Sequence, residues 1–335
     1  MAQVGVVGAS GFTGAELLRL VAAHPELDLA VATADSQAGT PVADLYPSLA
    51  AAYGGLVLES YDASGLAGLD VVFCCLPHGH SQDVVPELKD KVGHIVDLAA
   101  DFRLKDPALY PQWYGEAHRA PDLLGDFVYG LPELFRDELL AAPLIAVPGC
   151  YPTTASLALA PLLRAGMIQS TGIIVDAASG VSGAGRGKFP FCSTDEDFVA
   201  YGLLDHRHTP EIEQTLDATV LFTPHLAPMN RGILATCYAR PTASTSTSEL
   251  LACLAEDYAN DLFIVVREQP PSTKATLGSN TAHLTARYDE RTGTVVALGA
   301  LDNLVKGASG QAVQCANLAL GLDETLGLPT VGVYP

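Results

Sequence analysis

The chain has 335 residues, of which 49% are hydrophobic, so it holds enough apolar material for the cores of one or two globular domains. Asp and Glu outnumber Lys and Arg by 38 to 18, which gives a formal net charge of −20. A protein that binds a phosphate backbone needs the opposite charge, so we expect no nucleic-acid partner. No run approaches the ~20 apolar residues of a membrane span, and the first residues lack the basic region of a signal peptide. We therefore expect a soluble cytoplasmic protein with no membrane partner.

The N-terminal residues predict a strand, a glycine-rich turn and a helix in direct succession. Residues 4–7 are an apolar run, Gly8, Gly11 and Gly14 follow at a spacing of three, and a helical pattern starts at Ala15. Bare backbone in such a turn lets a pyrophosphate approach the helix N-terminus, where N–H groups and the helix dipole favour anions. A tight turn that needs only positive φ angles is the alternative. We predict a dinucleotide site formed by Gly8, Ser10, Gly11, Phe12, Thr13 and Gly14.

Three further apolar runs extend this pattern to a parallel sheet. Residues 27–33, 70–76 and 93–98 each predict a strand, and helical or loop segments separate them. His78 and His80 follow the third strand, at the carboxyl edge of the sheet, where a cofactor could pass. We therefore expect an α/β fold.

The end of the second strand bears on the choice between NAD and NADP. A carboxylate there holds a ribose hydroxyl of NAD, whereas basic or hydroxyl groups favour the additional phosphate of NADP. Asp35 therefore favours NAD, Thr33 and Ser36 leave NADP open, and no Arg or Lys lies in this stretch. Asp35 could equally do no more than start a turn.

The pattern changes near residue 148, where a second domain is predicted to begin. Residues 148–154 open a long apolar helix over 155–163, and a polar run at 242–248 caps a helix that starts near Glu249. Further strands are predicted at 172–177, 218–223, 232–238 and 295–298, and a last helix at 310–320.

Cys150 is the candidate nucleophile of the chain. It precedes a helix whose N-terminus would stabilise a thiolate and offer N–H donors to an oxyanion. The seven cysteines form no C-x-x-C pair, which argues against a disulfide framework or a thiolate zinc site. We interpret the other six as structural thiols, and a structural Cys150 is the alternative.

A thiolate nucleophile needs an acid/base partner, for which His206, His208 and His225 are the candidates. Spacing alone does not choose among them, and His206-x-His208 without further ligands is a weak metal motif, so we expect no metal. An anionic substrate would also need local positive charge in this acidic chain. The basic residues near glycine-rich or polar turns are Arg103, Arg186, Lys188, Arg207 and Arg231.

Eight segments carry a resemblance that covers nearly the whole chain. They are residues 8–14, 76–79, 97–103, 129–133, 148–153, 179–186, 206–211 and 302–307. Together they resemble the N-acetyl-gamma-glutamyl-phosphate reductase family of arginine biosynthesis, within the aspartate-semialdehyde dehydrogenase superfamily. The resemblance implies a homodimer or homotetramer that reduces a small-molecule acyl phosphate, N-acetyl-gamma-glutamyl phosphate, to its semialdehyde with NADPH and releases phosphate.

The expected architecture has two parts. Residues 1–148 form a Rossmann-like dinucleotide-binding domain, which a C-terminal helix at 305–335 completes. Residues 149–304 form an α+β catalytic and dimerisation domain of the semialdehyde dehydrogenase type.

The resemblance also implies roles for individual residues. Cys150 matches the nucleophile, and His206 best matches the acid/base histidine of the H-R-H motif. The thiolate would attack the acyl phosphate, the resulting thioester would take a hydride, and the thiohemiacetal would collapse to the aldehyde. Further predicted cofactor-binding residues are Ser36, Pro77, Ser182, Gly183 and Asn303, and predicted substrate-binding residues are Arg103, His208 and Arg231.

The stretch after the second strand departs from the family pattern. The family often has a basic or amide-bearing stretch followed by Ala-Gly-Lys, whereas residues 35–40 are Asp-Ser-Gln-Ala-Gly-Thr. The NADP expectation is therefore inherited from the family, and NAD is not excluded because of Asp35.

Three other functions are compatible with parts of the sequence. A carrier-linked aminoadipyl-phosphate reductase of lysine biosynthesis would use the same chemistry. It would need a basic surface to bind an acidic carrier protein, which this strongly acidic chain does not indicate. A non-catalytic dinucleotide-binding sensor would use Cys150 only structurally. A cysteine hydrolase would need no nicotinamide and no glycine turn.

Overall fold

The computed structural model describes residues 1–186 and 190–334, so the candidate Lys188 lies outside the described residues. The chain forms two compact units. The first comprises Met1–Pro111, Gly115–Pro148 and Ala308–Leu328, and the second comprises Gln112–Tyr114, Gly149–Gly307 and the chain from Pro329 on. The chain leaves the first unit after Pro148, where the sequence pattern changes. The C-terminal segment expected to complete the first unit was 305–335, but only residues 308–328 lie in that unit.

The first unit is built on a six-stranded parallel sheet. Its strands are β1 (Ala2–Val7), β2 (Leu27–Thr33), β3 (Val71–Cys74), β4 (His94–Asp97), β5 (Val128–Tyr129) and β6 (Leu144–Ala146). They lie in the order β2-β1-β3-β4-β6-β5, and every neighbouring pair is parallel. The order reverses between β1 and β3, which is where ligands bind in open α/β sheets.

Helices and short 3₁₀ turns connect these strands. The helices are α1 (Phe12–Ala23), α2 (Val42–Leu45), α3 (Ala50–Tyr53), α4 (Ser81–Leu88), α5 (Leu109–Tyr114) and α6 (Pro132–Leu139), and the 3₁₀ turns are Pro47–Leu49 and Pro121–Leu123. All four residues of β3 are buried, as are three of the four in β4. Such strands need apolar residues on both faces, which explains why their sequences are continuous apolar runs.

The second unit is built on a seven-stranded mixed sheet. Its strands are β7 (Ile173–Gly180), β8 (Val199–Ala200), β9 (Val220–Ala227), β10 (Ile233–Ala239), β11 (Ile264–Val266), β12 (Ala282–Asp289) and β13 (Thr294–Leu301), in the order β11-β12-β13-β10-β7-β9-β8. Its helices are α7 (Cys150–Arg164), α8 (Thr209–Leu216) and α9 (Thr247–Asp257), with 3₁₀ turns at Val181–Ala184 and Phe191–Ser193.

The three helices cover one face of this sheet. Helix α7 packs on β10, β12 and β13, α8 packs on β9, and α9 packs on β11 and β12. Alternate residues of β7, β9 and β10 are buried, which is the period of a sheet with one covered face. As predicted, the polar run before α9 caps it, because the Ser246 side chain accepts a hydrogen bond from the Glu249 N–H.

Helix α7 starts five residues earlier than the apolar pattern predicts. Gly149 is its N-cap, Cys150 is its first residue, and Pro152 lies in the first turn. Proline is tolerated there because the first N–H groups of a helix have no partner within the helix. Cys150 is therefore part of the helix N-terminus.

The chain after β13 returns to the first unit. Val305–Ser309 form a π-helical turn that leads into α10 (Gly310–Ala319), and α10 packs on α1, α6 and β4. Ten residues of α10 are buried. Among the residues described, none of the helices is long and apolar enough to cross a membrane.

Candidate active site

The three glycines of the turn after β1 each have a different structural role. Gly8 has a φ of +84°, which makes the tight turn, and a Cβ on Gly14 would lie 2.6 Å from the Ala9 Cα, so Gly14 allows close packing of the helix on the turn. A Cβ on Gly11 would meet only the Gly8 carbonyl oxygen, at 3.9 Å. These roles match those of the glycines in dinucleotide-binding turns, where the open position admits the pyrophosphate.

The start of α1 adds hydrogen-bond donors to this turn. Gly11 is the N-cap and has no side chain to cap the helix, whose first N–H groups belong to Phe12, Thr13 and Gly14. Such groups bind anions together with the helix dipole. The turn therefore fits the pyrophosphate of a dinucleotide.

The other predicted cofactor residues of the first unit lie at the carboxyl ends of β2 and β3. Asp35 and Ser36 are exposed in a turn over residues 35–39, in which the Ala38 N–H donates to the Asp35 carbonyl. Pro77 is exposed three residues after the end of β3. Since β1 lies between β2 and β3, these ends flank the glycine turn.

A buried pair of carboxylates shapes the loop after β3. Asp101 accepts hydrogen bonds from the N–H groups of Gly79 and Ser81, at 2.8 and 3.0 Å, and its carboxylate lies 2.6 Å from His78 Nδ1. Although burial opposes it, these contacts hold the pKa of Asp101 below its usual value. Asp97 accepts from Ser81 Oγ at 2.7 Å, and burial together with the charge of Asp101 raises the pKa of Asp97 to about 7. The sequence reasoning assigned neither carboxylate a role.

In the second unit, Cys150 occupies the N-terminus of the 15-residue helix α7. A thiol at this position lies at the positive end of the helix dipole, which favours its thiolate form. By contrast, burial raises the pKa of the Cys74 and Cys75 thiols, and that of Cys237 to about 12, which keeps these three protonated.

His206 lies in an aromatic cluster beside α7. Its ring centroid is 4.8 Å from that of His208, and 5.9 and 5.4 Å from those of Tyr151 and Tyr201. Burial, with a contribution from the charge of Arg207, lowers the pKa of His206 to about 4. The His208 N–H donates to His206 Nδ1 at 3.1 Å, so the neutral ring carries its proton on Nε2.

Two tyrosines complete this cluster, and the sequence reasoning missed both. The Tyr201 hydroxyl donates to the Tyr151 hydroxyl at 3.2 Å, which donates to the His225 carbonyl at 3.0 Å. Burial raises the pKa of Tyr151, so it remains a neutral phenol. The only sequence signal was that Tyr151 follows Cys150. The third candidate acid/base residue, His225, stacks its ring on the exposed Phe198 at 5.3 Å.

A second polar cluster gathers the ends of β7, β10 and β13. The Asn303 side chain accepts from the Gly232 N–H at 2.7 Å and donates to Ser182 Oγ at 2.9 Å. Arg231 lies 3.5 Å from the carboxylate of Asp302 and keeps 28% of its side chain exposed. The structure thus brings together Ser182, Asn303 and Arg231, which were predicted from segments far apart in the sequence.

Two further predicted residues have different environments. Gly183 is exposed, and a Cβ on it would lie 2.9 Å from Ser179 Oγ. Arg103 is 7% exposed in the first unit and donates to the Leu98 carbonyl at 2.8 Å. Within residues 1–186 and 190–334, no group of three or more His, Cys, Asp or Glu side chains could hold a metal ion.

Comparison with known proteins supports the resemblance. Residues 3–142 match the NAD binding domain of semialdehyde dehydrogenases, and residues 150–303 match their dimerisation domain. The N-acetyl-gamma-glutamyl-phosphate reductase of Desulforudis audaxviator is 49% identical over 347 residues, which cover 100% of both chains. That of Symbiobacterium thermophilum is 48% identical over 346 residues, which cover 99% of both chains.

This chain belongs to the N-acetyl-gamma-glutamyl-phosphate reductase family. The predicted resemblance is thereby confirmed, and it extends over the full length of the relatives. The match to the NAD binding domain contains the whole glycine turn, and the match to the dimerisation domain contains Cys150, His206 and Asn303.

The fold of this reductase is similar to that of solved aspartate semialdehyde dehydrogenases. Aspartate semialdehyde dehydrogenase II of Vibrio cholerae, complexed with ASA, has a TM-score of 0.73 and 16% identity, with 96% of this chain and 98% of that chain covered. Aspartate semialdehyde dehydrogenase of Candida albicans, with NADP, has a TM-score of 0.70 and 15% identity, with the same coverage. The predicted α/β class, with a Rossmann-like part and a semialdehyde dehydrogenase part, is confirmed.

Proposed function

We propose that this protein reduces N-acetyl-gamma-glutamyl phosphate to N-acetylglutamate 5-semialdehyde, releases phosphate, and serves arginine biosynthesis. The observation that carries the proposal is the full-length similarity, at 49% and 48% identity, to reductases that bear this name. The position of Cys150 at a helix N-terminus beside a histidine cluster supplies a chemical rationale for it.

The proposed cofactor is NADPH, which supplies a hydride when it is bound. The N-terminus of α1 and the turn from Gly8 to Gly14 would hold its pyrophosphate. Ser36 would contact the ribose phosphate and Pro77 the cofactor along the carboxyl ends of the strands. In the second unit, Ser182, Gly183 and Asn303 are the proposed contacts.

Cys150 is the proposed nucleophile. The N-terminus of α7 favours the thiolate form of Cys150. The thiolate attacks the carbonyl carbon of the acyl phosphate, and the C–O bond to phosphate breaks as the S–C bond forms. Phosphate leaves with the bonding electron pair and takes a proton from solvent. The thioester is then reduced, and the C–S bond breaks to give the aldehyde and regenerate the thiolate.

His206 is the proposed acid/base residue, and its contacts support a role as a hydrogen-bond donor to the oxyanion that forms during the reaction. Its pKa of about 4 keeps the ring neutral at neutral pH, and the bond from the His208 N–H to Nδ1 places the ring proton on Nε2. The ring can then donate from Nε2 to the carbonyl oxygen as that oxygen gains negative charge. Donors placed in this way stabilise the tetrahedral intermediates before and after reduction.

Arg103, His208 and Arg231 are the proposed substrate-binding residues. The substrate is anionic and the chain has a net charge of −20, so local cations must attract the substrate. The carboxylate of Asp302 orients Arg231, and the Arg231 side chain keeps 28% exposure, which leaves it accessible to a ligand. A guanidinium group binds phosphate and carboxylate groups in a bidentate way.

We further propose a homodimer or homotetramer that forms through the open face of the second sheet. Leu221, Ile174, Tyr238 and Val296 are paired in register across β9, β7, β10 and β13, and form one apolar row. Leu221, Ile174 and Tyr238 are 46%, 38% and 36% exposed. Apolar rows of this kind on a sheet face mark association surfaces, and this part of the chain matches a dimerisation domain.

Sedimentation tests the association surface. Ile174→Glu should shift the protein to a smaller species, whereas Leu140→Glu, at a leucine 55% exposed after α6, should leave its mass unchanged. An Ile174→Glu protein that sediments like the unaltered protein would place the interface elsewhere.

The proposed activity is best tested in the reverse direction. The assay mixes N-acetylglutamate semialdehyde, phosphate and NADP or NAD, and follows the absorbance of the reduced nicotinamide, with Cys150→Ser as the control. We expect phosphate-dependent turnover that the Ser variant lacks, and higher efficiency with NADP. A folded protein that binds the dinucleotide but turns over with neither cofactor would refute the proposed substrate.

A further inference from the structure

The cap of the nucleophile helix is tied to a residue 62 positions away in the sequence. The N–H of Gly149, the residue before Cys150, donates to Glu211 Oε1 at 2.8 Å. The Glu211 side chain has no solvent exposure. An ionised acceptor forms a stronger hydrogen bond than a neutral one. A buried bond of this kind holds the donor and acceptor groups in one arrangement.

The other end of this link leads to the histidines. Glu211 lies in the first turn of α8, whose N-cap is His208, and the Ile212 N–H donates to the His208 carbonyl at 3.0 Å. The Thr209 N–H donates to the His206 carbonyl at 2.9 Å. Together with the bond to His206 Nδ1, these contacts join both histidines to the backbone that carries Glu211.

We propose that Glu211 is a positioning residue that holds the nucleophile cap in register with the histidine turn. Helices α7 and α8 pack against each other, and the Glu211 carboxylate spans their two N-termini. The proposal rests on the proposed function, because it assumes that Cys150 and the histidines act on the same substrate. Without this link, each helix would still form, but the distance between thiol and imidazole would be less well defined.

A glutamate suits this position for two physical reasons. Its charge lies near the positive ends of two helix dipoles, its own and that of α7, which stabilise a buried anion. Its length reaches the Gly149 N–H from α8, whereas an aspartate is one methylene shorter, by about 1.5 Å. The same negative charge opposes ionisation of the neighbouring thiol, so its value must lie in geometry and not in thiol activation.

The experiment separates these two effects in the full-length protein. Glu211→Gln keeps the length and an acceptor oxygen but loses the charge, and Glu211→Asp keeps the charge but loses the reach. Glu213→Gln is the matched control, because Glu213 lies on the same helix and accepts a backbone N–H, that of Val220, at 3.0 Å. The readouts are kcat, KM, melting temperature and the pH profile of Cys150 alkylation by iodoacetamide, followed on the Cys150 peptide.

We expect both Glu211 variants to lower kcat by on the order of tenfold to a hundredfold, with KM for the dinucleotide within about twofold. In Glu211→Gln the alkylation midpoint should move to lower pH, since a negative charge near the thiol is gone. A thiol that ionises more easily in a slower enzyme is the signature of lost positioning. Glu213→Gln should change neither quantity.

Other outcomes overturn the proposal. Folded Glu211→Gln and Glu211→Asp proteins that both keep an unchanged kcat would show that the link is dispensable. If kcat falls together with a shift of the alkylation midpoint to higher pH, Glu211 acts on thiol ionisation. If kcat falls together with the melting temperature, Glu211 acts on folding. If the unaltered protein does not reduce the acyl phosphate, the proposed function fails. The alkylation midpoint then tests the role of Glu211 by itself, and an unshifted midpoint in Glu211→Gln would reject the link to Cys150.

Discussion

Gly307 lies directly against Cys150. A Cβ on Gly307 would be 2.8 Å from the Cys150 Cβ and 3.3 Å from its Cα, and the first of these distances is shorter than real Cβ atoms show. Gly307 is the third residue of the π-helical turn Val305–Ser309 and is buried. Such turns occur often at functional sites, and this one brings the chain after β13 against the nucleophile.

Gly307→Ala should therefore displace Cys150. We expect a loss of reductase activity of about tenfold or more, slower alkylation of Cys150, and a destabilisation of roughly 1–3 kcal/mol from overpacking. Thermal melting and iodoacetamide kinetics measure the two effects. Gly125→Ala is the matched control, because a Cβ there would meet no atom within 4 Å. Normal alkylation of Cys150 in the Gly307→Ala protein would contradict the expected displacement.

Asp97 should make the protein less stable as the pH rises. Its pKa is about 7 in the folded protein and 3.8 ordinarily, so between these values the folded state holds a proton that the unfolded state has released. Stability from this group is present at low pH and is lost as the pH rises towards 7. Asp97→Asn is neutral throughout and keeps an acceptor for Ser81 Oγ.

The melting temperature of Asp97→Asn, relative to the unaltered protein, should thus rise by on the order of 5 °C between pH 5 and pH 8.5. Differential scanning calorimetry at several pH values measures this difference. The exposed Asp122→Asn is the control and should show none. A pH-independent difference for Asp97→Asn would mean that Asp97 is ionised throughout this range.

His206 should affect both catalysis and acid stability. We expect His206→Asn to lower kcat by on the order of 10²–10⁴-fold. Because the pKa of His206 falls from 6.5 to about 4 on folding, the unfolded state binds more protons in that window, and stability falls as the pH drops through it. His206→Asn removes this loss, so the variant should gain stability relative to the unaltered protein between pH 6.5 and pH 4.

His208→Asn is the comparison for the catalytic part of this prediction. His208 lies beside His206 in the same turn, and its N–H bond to His206 Nδ1 comes from the backbone, so the substitution leaves that donor in place. If His206→Asn retains full reduction while His208→Asn abolishes it, the acid/base role belongs to His208.

Asp35 should weaken the preference for NADP. Its carboxylate is exposed in the turn after β2 and would repel a ribose phosphate. We expect Asp35→Asn to raise kcat/KM for NADPH by roughly fivefold and Ser36→Ala to lower it, with smaller effects on NADH. Steady-state kinetics with both cofactors gives the ratio, and the exposed Asp44→Asn is the control. An unchanged ratio in Asp35→Asn would make Asp35 a turn former only.

The sequence predicted the strands that are continuous apolar runs, and it missed those that are short or half-polar. Strands β1, β3 and β4 lie where the apolar runs lie, because central parallel strands are buried on both faces. The edge strand β2 also lies at its predicted position. Strand β12 was missed, since His283 and Arg287 alternate with its buried residues. Strands β5 and β6 have two and three residues, too few for a periodic signal.

The candidate site shows the same division. The type and spacing of residues were enough to predict Cys150, the glycine turn and the histidine motif, because each depends on a local strand, turn or helix terminus. The link from Glu211 to Gly149 and the contact of Asp302 with Arg231 join segments 62 and 71 positions apart. No local pattern in the sequence carries information on such contacts.

The sequence by itself therefore determined the family, the class of fold and the chemistry-bearing residue types, since these follow from local hydrophobic periods and short motifs. Only the tertiary structure decided the environment of each group. It made His206 a half-buried, neutral ring with its proton on Nε2, and it gave Asp97 a pKa near 7. The physical reason is that burial and hydrogen bonding, which set protonation states, depend on neighbours that the packing of helices and sheets brings together from distant parts of the chain.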